Sequence, residues 1–246
     1  MDEVLARARD ALAGARSIVV LTGAGISAES GIPTFRDAMT GLWSNYRPED
    51  LATPEAFLRD PATVWAWYAE RRRRVGAVRP NAGHDALVRL ERWANGRGLE
   101  FLLVTQNVDG LHAAAGSEQL VELHGNIRRV KCFADGHPAD SWPDNLPGPP
   151  PCPRCGSPLR PDVVWFGEEL PPRAIEAALA ATRRCDVFIS VGTSGLVEPA
   201  ASLPFAALDR RATVIEVNPA ATPLTRRASF ALAGTAGDLL PRLVPA

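Results

Sequence analysis

An α/β fold built on a doubly wound parallel sheet is what this sequence predicts, and three observations carry the prediction. Short apolar runs recur between helical stretches, a glycine loop follows the first of those runs, and two stretches that break the alternation read as insertions. Strands alternating with helices in this way wind a parallel sheet with helices on its faces.

The apolar runs are SIVVLT (17–22), FLLVT (101–105), LVELH (120–124), DVFISVG (186–192) and TVIEVN (213–218). Rich in Val and Ile and bounded by Gly, Asn or Asp, they fit parallel strands buried on both faces. Helical patterns fall at 3–14, 54–76, 82–95, 171–183 and 197–208. Residues 31–95 contain several helical segments and no convincing strand, so they read as a helical module able to cover one side of a cleft. Residues 126–161 are rich in Pro, Gly and Cys and too poor in aliphatic side chains to build their own core, which makes them a small satellite module. The sheet-forming domain is then 1–30 together with 96–125 and 162–246.

With 246 residues and 46% hydrophobic content, the chain can bury a substantial core. A formal net charge of −1 argues against the broad basic field that non-specific nucleic-acid binding needs. No apolar run approaches the roughly 18 residues of a membrane span. The start, MDEVLARARDALAGARS, is charged throughout and reads as an amphipathic helix, not a leader. Four cysteines do not suggest a disulfide scaffold in a chain of this size. These features lead us to expect a cytoplasmic monomer without nucleic-acid or membrane partners.

The glycine loop, TGAGISAESG, sets Gly23, Gly25 and Ala28 after the first strand in the spacing G-x-G-x-x-A. Glycines there permit a tight turn and a close backbone approach to a pyrophosphate at the positive end of the next helix. An ordinary dinucleotide site adds an acidic residue about 20 positions on, at a second strand's end. Here Glu49 and Asp50 fall in loop and helix start instead, while Glu216 and Asn218 stand at a later strand end and offer polar groups for a ribose. Phe35, Arg36 and Asp37 follow in GIPTFRD, a ring with two charges that either encloses a flat charged ligand or forms a salt-bridged loop.

One basic run stands out, in VWAWYAERRRRV. Tyr68 and Arg71 lie three apart, so on a helix they share a face and both can grip one small anion. Arg72, Arg73 and Arg74 read as a solvated face, and Trp65 and Trp67 as packing.

TQNVDGLH (105–112), LHGN (123–126), VVWFGE (163–168), VGTS (191–194) and EVN (216–218), in this order behind the glycine loop, resemble the sirtuins, the NAD-dependent protein-lysine deacylases. The resemblance runs from about residue 17 to 240. It implies a Rossmann-like NAD-binding domain with a zinc-ribbon-like module and a helical module. The reaction it implies breaks the nicotinamide–ribose bond and yields nicotinamide, O-acyl-ADP-ribose and free lysine. The matching cofactor-binding positions are Gly23, Ala24, Gly25, Ala28, Glu29, Thr34, Phe35, Arg36, Gln106, Asn107, Asp109, Gly192, Thr193, Ser194, Asn218 and Ala236.

By the same resemblance, Asn107 and Asp109 hold the departing carboxamide and the adjoining ribose, and Phe35 shields the cationic sugar. Arg36 contacts phosphate or organises its loop. His124 is the base, since an imidazole titrates near neutral pH and can take a proton from a ribose hydroxyl. His84 and His112 read as structural. Val164, Trp165, Phe166, Gly167 and Glu168 offer a strand edge to an extended substrate. A Tyr-x-x-Arg pair marks the subgroup, often called class III, that prefers succinyl, malonyl and glutaryl groups, and Tyr68 and Arg71 fit it. The expected activity is therefore removal of acidic acyl groups from lysine, with weaker deacetylation. Deacetylation or ADP-ribosyl transfer as the main activity, or a non-catalytic NAD sensor, are the alternatives.

Cys152 and Cys155 in PCPRCG form half of a tetrahedral zinc site. The other half departs from the family pattern, with Cys132 followed by Phe133, Ala134 and Asp135. Asp135 or His137 supplies the missing ligand, or the module is held by its prolines without metal. Cys185 reads as a core thiol.

Overall fold

The computed structural model describes residues 2–33, 47, 50–140, 142 and 146–245. In chain order the elements are α1 (Asp2–Ala13), β1 (Ser17–Thr22), α2 (Gly25–Ala28), α3 (Pro54–Arg59), α4 (Pro61–Ala77), α5 (Ala82–Asn95), β2 (Glu100–Thr105), α6 (Leu111–Ala115) and β3 (Leu120–Glu122). They continue with β4 (Gly125–Cys132), β5 (Pro138–Ala139), β6 (Leu159–Val163), α7 (Pro172–Thr182), β7 (Val187–Val191), α8 (Leu203–Asp209), β8 (Thr213–Asn218), β9 (Phe230–Ala233) and α9 (Ala236–Leu243).

The large sheet is parallel throughout, in the order β3-β2-β1-β7-β8-β9. Successive strand residues point to opposite faces, and β1 shows how the sheet is wound on both. Ile18 and Val20 join the core formed with α1, α5 and α9. Val19 and Leu21 join the core formed with α7 and α8. Because both faces are covered, the strands are apolar at nearly every position, which is why they are conspicuous in the sequence.

Residues 54–76, read from the sequence as one helix, are two. Thr53 caps α3 by accepting from the backbone N–H of Ala56 at 3.1 Å, and Asp60 caps α4 by accepting from that of Thr63 at 3.0 Å. A proline opens each helix, where its missing N–H costs nothing. The stretch 197–208 is helical only from a 3-10 turn at Ala200–Ser202 into α8. The sequence reading also passed over β9 and α9, whose FALA strand is short and half made of alanine.

Residues 125–163 carry a second, antiparallel sheet in the order β5-β4-β6. As its composition demands, its core is borrowed: Trp65 of α4 is buried among Val130, Cys132, Cys152 and Leu159. The opposite face of α4 sends Trp67, Tyr68 and Val75 into another cluster with Ile127, Val163 and Trp165. Among the described residues no helix is long and apolar enough to cross a membrane.

Trp65 is fully buried, so Trp65→Ala should destabilise the fold by about 3–5 kcal/mol. Equilibrium urea unfolding measures this, and a loss under about 1 kcal/mol would mean that the ribbon does not depend on its borrowed core.

Candidate active site

Ligands of doubly wound sheets bind beyond the carboxyl ends of the strands, where the strand order reverses. That point lies between β1, whose chain continues toward β2, and β7 on its other side. The loops leaving both strands sit directly on each other: Gly23 N–H donates to Val191 O at 2.9 Å and Gly25 N–H to Gly192 O at 2.8 Å. A Cβ on Gly25 would lie 2.7 Å from the Gly192 Cα, and one on Gly23 would lie 2.8 Å from the Thr193 Cα. Gly192 itself has φ +58°. The first demand on these glycines is therefore loop-on-loop contact. The helix after them, α2, is a single turn headed by Ala24 and ending at Ala28, so less of a helix follows the loop than the sequence pattern implies.

Gln106, Thr193 and Asn218 bridge the ends of β2, β7 and β8. Gln106 Nε2 donates to Thr193 Oγ1 at 3.0 Å, and Asn218 Nδ2 to Thr193 O at 2.8 Å. Ser194 follows them as an exposed residue. Glu216, offered by the sequence as a ribose ligand, is instead buried with one carboxylate oxygen bonded to Thr222 and the other to Thr225, bracing the next loop. Glu29 is also turned to another task, accepting from Thr235 Oγ1 at 2.9 Å and Gly237 N–H at 2.7 Å at the start of α9. Ala236 buries its methyl group in the core. Thr34, Phe35 and Arg36 lie outside the described residues, as do Asp37 and Glu49.

Asn107 and Asp109 are buried beside the Gly23–Gly25 turn. Asn107 Nδ2 donates to Gly23 O and to Ser27 Oγ, each at 3.1 Å. Ser27 Oγ donates to one Asp109 oxygen at 2.8 Å, and Leu111 N–H donates to the other at 2.8 Å. Ser27 thus joins the glycine turn to the carboxylate. The sequence reading missed it; the only signal was a small hydroxyl inside the glycine motif.

Behind this network, His112 Nε2 is 2.9 Å from Thr22 Oγ1, and its ring centroid is 4.9 Å from that of His84. Burial, reinforced by His84, pushes the His112 pKa down to about 3. Burial also lowers that of His84, whose Nδ1 receives the Asn81 N–H at 3.3 Å in a capping box.

His124 Nδ1 lies 2.9 Å from Gln106 O. A carbonyl can only accept, so Nδ1 carries the proton and Nε2 presents a lone pair. Burial lowers the His124 pKa against the opposing pull of that carbonyl, which leaves a neutral imidazole at pH 7. Its own carbonyl accepts from Val164 N–H at 2.9 Å.

The segment 164–168 continues from β6, with Phe166 exposed and its N–H donating to Ala52 O at 2.9 Å. Glu168 accepts from Trp165 N–H at 2.8 Å and pairs with both terminal nitrogens of buried Arg160, whose guanidinium lies over the Trp165 ring. Gly167, with φ +85°, closes this turn. Trp165 is buried, and its Nε1–H donates to Tyr68 Oη at 2.9 Å. Burial raises the Tyr68 pKa, so the phenol keeps its proton. The Arg71 guanidinium lies 4.7 Å from the Trp67 ring centroid and 5.4 Å from that of Tyr68. Arg72 departs from expectation: it is buried, with its guanidinium 5.0 Å from the Trp65 ring centroid and 5.3 Å from that of Trp142. Arg73 and Arg74 are exposed as expected, with Arg74 paired to Glu70.

In the ribbon, donor atoms of Cys132, His137 and Cys152 lie within 4.8 Å of one another, and so do those of Cys132, Asp135 and Cys155. Thiol sulfur with imidazole nitrogen or carboxylate oxygen is a donor set that zinc accepts, so the residues fit such an ion. Cys185 is a core thiol, with burial pushing its pKa up to about 11.

A doubly wound sheet, two glycine-lined loops at its switch point and a neutral histidine at the rim define a dinucleotide-binding α/β protein. The chain belongs to the Sir2 family, whose model matches residues 23–199. It is 55% identical over 243 residues to an NAD-dependent protein deacylase of Thermus thermophilus, covering 99% of this chain and 95% of that one. Its fold is similar to that of a Sir2 homologue crystallised with NAD, with TM-score 0.90, 47% identity, and 97% and 91% of the two chains covered. It also resembles a Sir2 mutant bound to a deacetylated p53 peptide and 3'-O-acetyl ADP-ribose, with TM-score 0.83, 30% identity, and 97% and 96% covered.

The buried His112 sets a pH dependence of stability. The unfolded chain takes up its proton near 6.5 and the folded chain only near 3. Stability is therefore complete above pH 6.5 and falls as pH drops from there toward 3, by up to about 1.4 kcal/mol per pH unit. Urea unfolding between those limits should show a shallower loss for His112→Gln than for the parent, and equal slopes would refute this assignment.

Proposed function

We propose that this chain is an NAD-dependent protein-lysine deacylase that prefers succinyl and malonyl groups to acetyl. Its products are nicotinamide, O-acyl-ADP-ribose and free lysine. The deacylase relative and the NAD and acetyl ADP-ribose complexes of similar structures support this reaction class. When bound, NAD supplies the sugar carbon that accepts the acyl oxygen.

The chain's own residues have separable tasks. Asn107 and Asp109 are held rigid by Ser27 and Gly23, so they orient the departing carboxamide and the ribose without rearranging. His124 takes a proton at Nε2 from a ribose hydroxyl, helped by the Nδ1–H bond to Gln106 O. β6 is an edge strand of its sheet, and the segment that leaves it can pair with an extended peptide through backbone groups. Affinity carried by the backbone leaves target sequence loosely specified.

One observation carries the acyl preference: base and clamp belong to one hydrogen-bonded chain. Val164 N–H holds the His124 carbonyl, and the next residue's indole holds the Tyr68 hydroxyl, one helical turn from Arg71. The indole N–H can only donate, so the phenol proton is directed elsewhere, toward an acceptor. A carboxylate at the acyl tip meets that proton and a guanidinium fork; an acetyl methyl meets neither.

Peptides differing only in the lysine acyl group, assayed with NAD by mass spectrometry, test this. Arg71→Met should lower desuccinylation kcat/KM about 10- to 100-fold, the cost of a hydrogen bond to a charged group, and lower deacetylation much less. Equal losses on both substrates would remove the clamp. For the parent enzyme, kcat/KM should fall only below the ordinary histidine range as pH drops, because burial lowers the His124 pKa; an acid limb above pH 7 would exclude His124 as the base.

A further inference from the structure

The two halves of the ribbon are the same turn built twice. In one, Cys132 N–H donates to His137 O at 2.9 Å and Gly136 N–H to Cys132 O at 3.0 Å. In the other, Cys152 N–H donates to Ser157 O at 2.7 Å and Gly156 N–H to Cys152 O at 2.9 Å. Gly136 and Gly156 have nearly equal positive φ, +71° and +77°. The match pairs Cys132 with Cys152, Gly136 with Gly156, and His137 with Ser157. Asp135 therefore stands where the second turn has Cys155, at the place of the lost thiol.

Placement alone would make Asp135 the substitute ligand, but the side chains have divided the work differently. The Asp135 side chain is 54% exposed; its carboxylate comes within 4.8 Å of the Cys132 and Cys155 sulfurs, but its closest bonds are to His137 Nδ1 and, at 3.2 Å, to His137 N–H. The His137 side chain is 12% exposed, and its Nε2 is turned inward to within 3.0 Å of Cys152 Sγ. Cys132 Sγ and Cys155 Sγ approach to 3.4 Å beside them. A carboxylate behind one imidazole nitrogen, with the other nitrogen facing thiols, is the arrangement that fixes the tautomer of a metal-bound histidine and raises its basicity.

We infer that this chain binds one zinc ion through Cys132, Cys152, Cys155 and His137 Nε2, and that Asp135 orients the imidazole from outside the ligand set. On binding, the three thiols release their protons while the neutral imidazole keeps its Nδ1–H on Asp135. One residue of the knuckle has thus turned from ligand to support, and a residue two positions on has taken its place.

The test uses the full chain loaded with zinc or cobalt(II), read by metal analysis, competition with a chromophoric chelator, and the visible spectrum of the cobalt form. The parent should hold one metal per chain with the spectrum of a three-sulfur, one-nitrogen tetrahedral site. Asp135→Asn should keep that spectrum and weaken affinity about 10- to 100-fold, the usual effect of removing an outer partner. His137→Cys should keep the metal and shift the spectrum to a four-sulfur site, and it serves where His137→Ala fails to fold. Asp135→Cys should restore the second thiol knuckle and so make His137→Ala tolerable to metal binding. Retention of metal and an unaltered cobalt spectrum in His137→Ala, with loss in Asp135→Asn, would reverse the two roles. A parent chain that holds no metal after loading would overturn the inference outright.

Discussion

The structure depends most on the seating of two strand-end loops against each other at the centre of the sheet. The paired N–H···O contacts from Gly23 to Val191 and from Gly25 to Gly192 bring two backbones closer than any side chain would allow. This contact sets the floor of the crevice. From it hang the polar groups on either side: Asn107 bonds to Gly23 O, Ser27 leaves the same turn to hold Asp109, and Thr193 gathers Gln106 and Asn218. A methyl group at Gly25 would force the loops apart and move every one of these groups, since interiors packed at crystal-like density transmit displacement.

Neutrality at His124 follows from the same economy of space. His124 is held by a main-chain carbonyl, not by a carboxylate. An acidic partner would favour the imidazolium, which has no lone pair left to accept a proton. A carbonyl orients the ring with a weaker pull toward the charged form, so burial outweighs it and leaves the neutral form. The buried pair His84 and His112 obeys the same rule: at His84 burial outweighs the pull of the Asp109, Asp85 and Glu29 carboxylates, and at His112 burial is reinforced by His84.

Much of this was legible in the sequence because it rests on contrast. Strands covered on both faces are nearly continuous apolar runs, so β1, β2, β7 and β8 declare themselves, whereas β9, with two alanines among four residues, does not. The glycine turn was legible as a motif, but its reason was not, because the partner backbone at Gly192 lies some 170 positions away and no local pattern announces it. The failures share that cause. Glu216 looked available until Thr222 and Thr225 folded back on it; Arg72 looked solvated until Trp142 closed over it. In each case the partner that consumes the polar group comes from a loop, and loops carry no period that would place them.

The fate of Arg72 also explains how a distant module bears on the crevice. Trp65 and Arg72 are seven residues apart, two turns along one face of α4, and both pack against the ribbon. Tyr68 and Arg71 lie between them in sequence and on another face, where Tyr68 meets Trp165. The helix is therefore held from two sides, and its rotation about its own axis is determined by both contacts together. The ribbon's packing holds Trp65, Trp65 holds the roll of α4, and that roll sets the Tyr68 hydroxyl against the indole of Trp165. Structural support at the far end of the small sheet thus reaches Tyr68 and Arg71 through one helix.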